Sequence, residues 1–207
     1  MADELIFFTN PQSRGATTHW MLEEIGCAYK TVVKEFGPDM KSPDYLALNP
    51  MGKVPTIKHG DTVVTETGAI LCYLADAFPE AKLAPPVGQR GSYYRWLFFV
   101  AGCCDPAMSN KATGWNPPPD LERRFGYGSY ERTMDTVAKV VDGKRYIAAD
   151  HFTAADVYMA AFLHFGMMFG AIEKRPAFEA YVTPLMKRPA AIRAQEKAKQ
   201  LMAKAAG

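Results

Sequence analysis

Residues 5–34 read LIFFTNPQSRGATTHWMLEEIGCAYKTVVK, and their pattern decides the fold. Leu5 to Thr9 is a short apolar run ending in Asn10-Pro11, which reads as a strand followed by a turn. A helical pattern over 13–25 follows: Ser13 is a favoured N-cap type, and Trp20, Met21, Leu22 and Ile25 supply apolar positions. Gly26 stands just past its end as a C-cap. Tyr29 to Lys34 alternates apolar and polar residues and reads as a second strand. Two strands joined through a helix form a βαβ unit, which favours parallel pairing.

Working outward, residues 44–47 supply a helical turn before Asn49-Pro50. Strands over 54–58 and 62–65 flank His59-Gly60-Asp61, the short loop of a hairpin. The spacing of Ile70, Leu71, Leu74 and Ala75 predicts a helix over 67–78. The order βαβ and then ββα is that of the thioredoxin-like fold. The composition changes at Pro79, and Pro79, Pro85, Pro86, Gly88 and Gly91 mark a linker. Beyond it, helical periodicity runs over 93–108, 121–141, 153–169, 177–187 and 190–206, with a proline-rich loop over 113–120. The expected organisation is an α/β domain over 1–80, a linker over 81–91 and an all-α helical bundle over 92–207. Met167, Met168 and Phe169 are expected in the bundle core, since methionine fills gaps there.

The chain has 207 residues, enough for a sizeable core without a metal or disulfide staple. Its 24 basic and 22 acidic residues nearly balance, which speaks against a nucleic-acid protein. The basic positions between Lys187 and Lys204 alternate with alanines and read as the solvated face of a helix. The cysteines (Cys27, Cys72, Cys103, Cys104) form neither Cys-x-x-Cys nor a zinc spacing, and they fit a reducing compartment. The four histidines share no motif, so no metal site is expected. The N-terminus has no basic n-region, and no run approaches the roughly 20 apolar residues of a membrane span. A soluble cytoplasmic protein without a membrane or nucleic-acid partner is the expectation.

Three segments carry chemistry. Asn10-Pro11-Gln12-Ser13-Arg14-Gly15 joins the end of a strand to a helix N-terminus, where free amides and the helix dipole favour an anion. The Ser13 hydroxyl can cap that helix, or it can donate to a bound thiolate. A thiol starts with a pKa of about 8.5, and lowering it by two units takes about 2.7 kcal/mol of preference for the thiolate. One charge-assisted hydrogen bond and a helix terminus are of that order. In Asn49-Pro50-Met51-Gly52-Lys53-Val54-Pro55, a cis Val54–Pro55 bond would turn the Val54 amide and carbonyl toward a peptide ligand, as an added strand. Lys53 beside them can meet a carboxylate; a plain loop with a trans proline is the alternative. In Glu66-Thr67-Gly68-Ala69, Thr67 can cap a helix whose first amides take an anion, and Glu66 can accept from an amino group.

In order and spacing these pieces, together with Phe152-Thr153-Ala154-Ala155-Asp156, resemble the cytosolic glutathione transferases over essentially the full chain. The resemblance implies that Val54, before a cis Pro55, binds the cysteinyl backbone of glutathione. It also implies that Glu66 and Thr67 take the γ-glutamyl end, and that Lys41 in the loop after the second strand meets the glycyl carboxylate. Thr67 stands where the family usually has serine. No cysteine lies in 9–16 and no tyrosine precedes Tyr29, so Ser13 looks like the serine type of active site, with Thr9 as the second hydroxyl. Glutathione is implied as co-substrate and a small apolar electrophile as acceptor, with Tyr94, Phe98 and Trp115 as candidates to hold it. A cytoplasmic homodimer active in detoxification follows from the same resemblance. A glutathione-dependent isomerase, dehalogenase or disulfide reductase, or a regulatory protein that keeps the fold without turnover, would share the glutathione site. The Thr153 to Asp156 segment reads as a capping box, with Phe152 and Val157 as its hydrophobic staple; its role is structural.

Overall fold

β1 (Leu5–Thr9) is the hub of the sheet in the computed structural model of the chain, which describes residues 3–205. It pairs in parallel with β2 (Lys30–Val33) and antiparallel with β3 (Thr56–His59), and β3 continues the hairpin to β4 (Thr62–Thr65). The strand order is β2-β1-β3-β4. The helix α1 (Gly15–Ile25) makes the βαβ crossover, and α3 (Thr67–Ala77) follows the hairpin and packs on α1. This is the thioredoxin-like arrangement expected from the element order.

The period-2 pattern of β1 explains the layering. Leu5, Phe7 and Thr9 are buried on one face, where the Phe7 ring lies 5.6 Å from that of His19 on α1. Phe8 points to the other face, its ring 5.7 Å from Tyr45 on the short helix α2 (Pro43–Leu48). Successive strand side chains alternate between faces, so one five-residue strand serves both layers.

The described residues form two compact units, and the chain returns to the first one. One unit runs to Lys82 and resumes at Arg188; the other is Leu83–Lys187. The last helix, α9 (Pro189–Ala205), therefore packs on α1 and does not belong with the bundle as the division at residue 92 expected. Lys187, Lys199 and Lys204 are exposed as expected, but Arg188, Arg193 and Lys197 depart from the solvated face expected of them. Arg188 forms two bonds of 2.7 Å to Glu24, while Arg193 and Lys197 both hold Glu23. The pattern of alanines and cations hid the partners because they lie on a helix about 170 positions earlier.

The second unit is helical. A continuous helical stretch comprises α4 (Gly91–Phe99), a π segment (Val100–Cys104) and α5 (Asp105–Ala112). Pro106 has no N–H to return to the preceding turn, and the wider π turn accommodates it. α6 (Tyr130–Val141) begins nine residues later than the periodicity suggested, after an irregular stretch that includes one 3-10 turn at Glu122–Arg124. α7 (Ala154–Met168) is apolar nearly all round and forms the centre, against α4 and α8 (Pro176–Met186). Its start is the expected capping box. Asp156 is fully buried and accepts four bonds, from the Thr153 amide and hydroxyl, the Ile147 amide and Tyr181 Oη. Burial pushes this carboxyl up, against the hydrogen bonds that hold it ionised. The far end of α7 departs from expectation: Met168 and Phe169 are exposed, because the helix stops there and Gly170 turns the chain away.

Candidate functional site

Strand register gathers the three segments at one end of the sheet. Phe8 pairs with Thr56, and Thr56 pairs with Thr65. The loop leaving β1, the segment entering β3 and the loop leaving β4 therefore emerge side by side. β2 ends at the same edge, since Thr9 pairs with Val33, and the chain carrying Lys41 leaves from there. Neighbouring strands lie about 4.8 Å apart, so β1 to β4 spans about 10 Å.

The first loop is pinned by a buried amide. Asn10 donates from Nδ2 to the Lys34 carbonyl at 2.9 Å and accepts the Gln12 amide at 3.0 Å. Ser13 Oγ donates to the Asn10 carbonyl at 2.6 Å and accepts the Gly15 amide at 3.0 Å. The helix begins at Gly15 with Arg14 in the cap position, so Ser13 lies one residue outside the cap it was expected to fill. Its oxygen nonetheless satisfies a free amide of the first turn. Thr9, the second candidate hydroxyl, is buried, points at the Asn10 carbonyl, and lies where a side chain on residue 15 would go. Glycine at 15 is required by that approach. Of the two hydroxyls, only that of Ser13 has partial exposure.

The second loop is built around the Lys53 carbonyl. Tyr45 Oη donates to it at 2.6 Å and Asn49 Nδ2 at 2.8 Å, and Thr56 Oγ1 accepts from Asn49 beneath. The Val54–Pro55 bond is cis, and the ladder begins only at Thr56, so the Val54 amide and carbonyl stand outside it. Strand β3 thus starts two residues later than expected. Burial pushes the Tyr45 phenol up, which keeps it protonated as a donor. Gly52 has φ +57°, and a Cβ there would come within 2.5 Å of the Met40 carbonyl. Lys41 donates to the Met51 carbonyl at 3.0 Å, so it ties its own loop to this one. The Lys53 side chain is exposed.

At the third segment the cap is Glu66, and Thr67 is the first residue of α3, which corrects the expectation that Thr67 caps it. Glu66 has φ +68°, a region that side chains rarely adopt, and its own side chain is exposed. The Thr67 side chain is buried at the helix start. Backbone of this kind beside free helix amides is characteristic of binding sites.

Tyr94, Phe98 and Trp115 are exposed in the helical unit. Tyr94 and Phe98 share one face of α4, one turn apart, while Trp115 packs edge-on against Phe125 at 5.2 Å. Among the described residues no group of three or more His, Cys, Asp or Glu could hold a metal ion, and no helix is long and apolar enough to cross a membrane. Burial pushes the Cys104 thiol far up, which makes it a poor nucleophile.

Sequence reading missed Asn10, Tyr45, Asn49 and Thr56. Asn10-Pro11 and Asn49-Pro50 each read as turn punctuation. The usable signal was that each asparagine stands where a strand end meets a site loop, and a buried amide there needs partners.

Residues 3–76 match the family model described as glutathione S-transferase, N-terminal domain. A glutathione S-transferase of Escherichia coli O157:H7 is 28% identical over 162 residues, covering 73% of this chain and 77% of that protein. A stringent starvation protein A homolog of Pasteurella multocida is 27% identical over 174 residues, covering 81% of this chain and 78% of its own. Among solved structures, a glutathione transferase of Phanerochaete chrysosporium in complex with oxidized glutathione superposes with a TM-score of 0.80 at 22% identity, over 96% of this chain and 97% of that one. At that identity the likeness shows the fold.

Proposed function

We propose that this chain, which belongs to the glutathione S-transferase family, binds glutathione along the end of its sheet and transfers the thiolate to a small, largely apolar electrophile. The observation that carries this reading is the register through Phe8, Thr56 and Thr65. It aligns a hydroxyl, an unpaired strand segment and an acidic helix start over about 10 Å, the length of an extended tripeptide. The cysteinyl backbone pairs with Val54, before Pro55, as one added strand unit. Glu66 accepts from the γ-glutamyl ammonium, and the first amides of α3 beside Thr67 take its carboxylate. Lys53 and Lys41 present cations to the glycyl end. The sulfur then meets Ser13 at the start of α1, where a hydroxyl donor and the helix dipole favour the thiolate. The protein supplies activation and proximity, and the nucleophile is the substrate's own sulfur. The acceptor is assigned to the exposed aromatics Tyr94, Phe98 and Trp115. The working form is a cytoplasmic homodimer acting in detoxification.

The test is a titration of the purified protein with glutathione, following thiolate absorbance against pH, for the native chain and Ser13→Ala. A depressed thiol pKa that returns toward about 8.5 in the variant supports the reading. Absence of glutathione binding sinks it.

The similarity to a stringent starvation protein A homolog favours one second reading, a protein that keeps this fold as a binding module. Glutathione bound with an unshifted thiol, and no conjugation of any electrophile offered, would decide for it.

A further inference from the structure

The Ser13 hydroxyl has one proton, and in this structure it is already committed. Oγ donates to the Asn10 carbonyl at 2.6 Å while a lone pair takes the Gly15 amide at 3.0 Å. A bound thiolate needs that same proton, so the hydroxyl must turn from the carbonyl to the sulfur. Turning away costs little only if the carbonyl keeps another donor and stays in place. Both conditions hold. The Ser13 amide also donates to the Asn10 carbonyl, at 3.1 Å, and Thr9 Oγ1 lies at 3.4 Å. The Asn10 side chain then anchors its own peptide in two directions, to the Lys34 carbonyl at 2.9 Å and to the Gln12 amide at 3.0 Å. The first bond reaches the chain leaving β2; the second closes a turn of the kind asparagine makes with an amide two residues on.

We propose that Asn10 is a positioning residue for Ser13: its buried carboxamide bolts the loop between β1 and α1 to the end of β2, and its carbonyl holds the Ser13 hydroxyl in a resting direction from which it turns to donate its hydrogen bond to the sulfur of bound glutathione. The inference rests on the glutathione reading above. No bond is made or broken in this step; one hydrogen bond is exchanged for another. Without the bolt, the Asn10 peptide and the hydroxyl it aims are free to turn, and the thiolate loses an ordered donor. The residue acts through Ser13 and has no contact with the reacting atoms.

The experiment is a double-mutant cycle read by thiolate absorbance of bound glutathione against pH, using Asn10→Ala, Ser13→Ala and the pair. Asn10→Ala is expected to raise the titration midpoint by about half a unit, about threefold less thiolate below it. In the Ser13→Ala background it is expected to move the midpoint no further. Asn10→Ser keeps an acceptor for the Gln12 amide and loses only the tie to Lys34, so it retains the turn if the alanine variant fails to fold. Its midpoint is expected between those of the native chain and Asn10→Ala. A native midpoint in a folded Asn10 variant overturns the proposal, and so does an equal rise with and without Ser13. A native chain whose bound thiol is not depressed, or a Ser13→Ala variant that titrates like it, overturns the glutathione reading and this proposal together.

Discussion

Arg188 grips Glu24 through two parallel bonds of 2.7 Å, joining the start of α9 to the end of α1 across 164 positions of sequence. The glutamate side chain is 6% exposed and the arginine 32%, so the pair lies between a surface ion pair and a buried one. Surface pairs contribute about 0–1 kcal/mol, whereas breaking a buried pair costs about 3–5 kcal/mol. Arg188→Ala is expected to cost about 2 kcal/mol by the same comparison, since among the described residues Glu24 keeps only its bond from Trp20 Nε1. The urea midpoint of unfolding checks this; an unchanged midpoint would mean that the pair is effectively solvated.

His19 makes stability fall in acid. Its ring is buried against Phe7 and Tyr29, and Nε2 has no hydrogen-bond partner among the described residues. Burial lowers its pKa to about 4; nearby Glu23 opposes the shift and Lys197 adds to it. The unfolded chain takes up the proton below about 6.5 and the native one only below about 4, so stability is lost as pH falls between those values. The full loss is on the order of 3 kcal/mol. His19→Phe should flatten the stability curve in that window. Glu23, held ionised by Lys197, Tyr29 and Arg193 against its own burial, adds a separate loss below its ordinary value of 4.5. A His19→Phe curve as steep as the native one would show that another group titrates there.

Gly52 should not tolerate alanine. The new methyl would need φ +57° and would meet the Met40 carbonyl at 2.5 Å, a backbone atom that cannot step aside. The left-handed backbone alone costs about 1–2 kcal/mol. Gly52→Ala is expected to lower stability by at least that much and to weaken glutathione binding by displacing Lys53 and Val54. Calorimetric titration with glutathione on the folded fraction is the check, and native affinity would show that the loop adapts.

Glu66 is expected to trade stability for binding. Its φ of +68° costs on the order of 1 kcal/mol, which glycine would not incur. Glu66→Gly should raise or leave unchanged the melting temperature while glutathione affinity drops at least tenfold. Glu66→Gln keeps the backbone penalty and should lose affinity alone. If Glu66→Gly binds glutathione normally, the carboxylate has no part in the site.

Asp156→Ala should be the most damaging of these changes. It removes an acceptor of four bonds and strands the Ile147 amide and the Tyr181 hydroxyl in the core. Each stranded group costs about 1–3 kcal/mol and the lost cap about 1 more, so a loss on the order of 4 kcal/mol is expected. Denaturant unfolding measures it; a loss under 1 kcal/mol would mean that water or a rearranged loop takes the place of the carboxylate.

What could be read along the chain shares one property, locality. Strand alternation, helix stripes, the glycine at 26 and the Thr153 to Asp156 box all depend on residues within a few positions of one another, so the order βαβ-ββα was legible and the three candidate segments could be picked out. The helix starts at 13 and 67 were each misjudged at the cap, because Ser13 and Thr67 are good cap types whose neighbours took the cap position.

The sequence by itself determined the elements, their order and the residue types at the site, since short-range sterics, periodicity and hydrogen-bond chemistry are encoded in neighbouring residues. Only the tertiary structure decided that α9 returns to the first unit and that the cations of 188–197 neutralise Glu23 and Glu24. It also decided that Thr9 is sealed beneath Gly15, and that Asn10 and Tyr45 hold carbonyls 24 and eight positions away. The physical reason is the same in each case: a buried charge or amide must be paired, but which distant group pairs with it depends on where folding brings the two together.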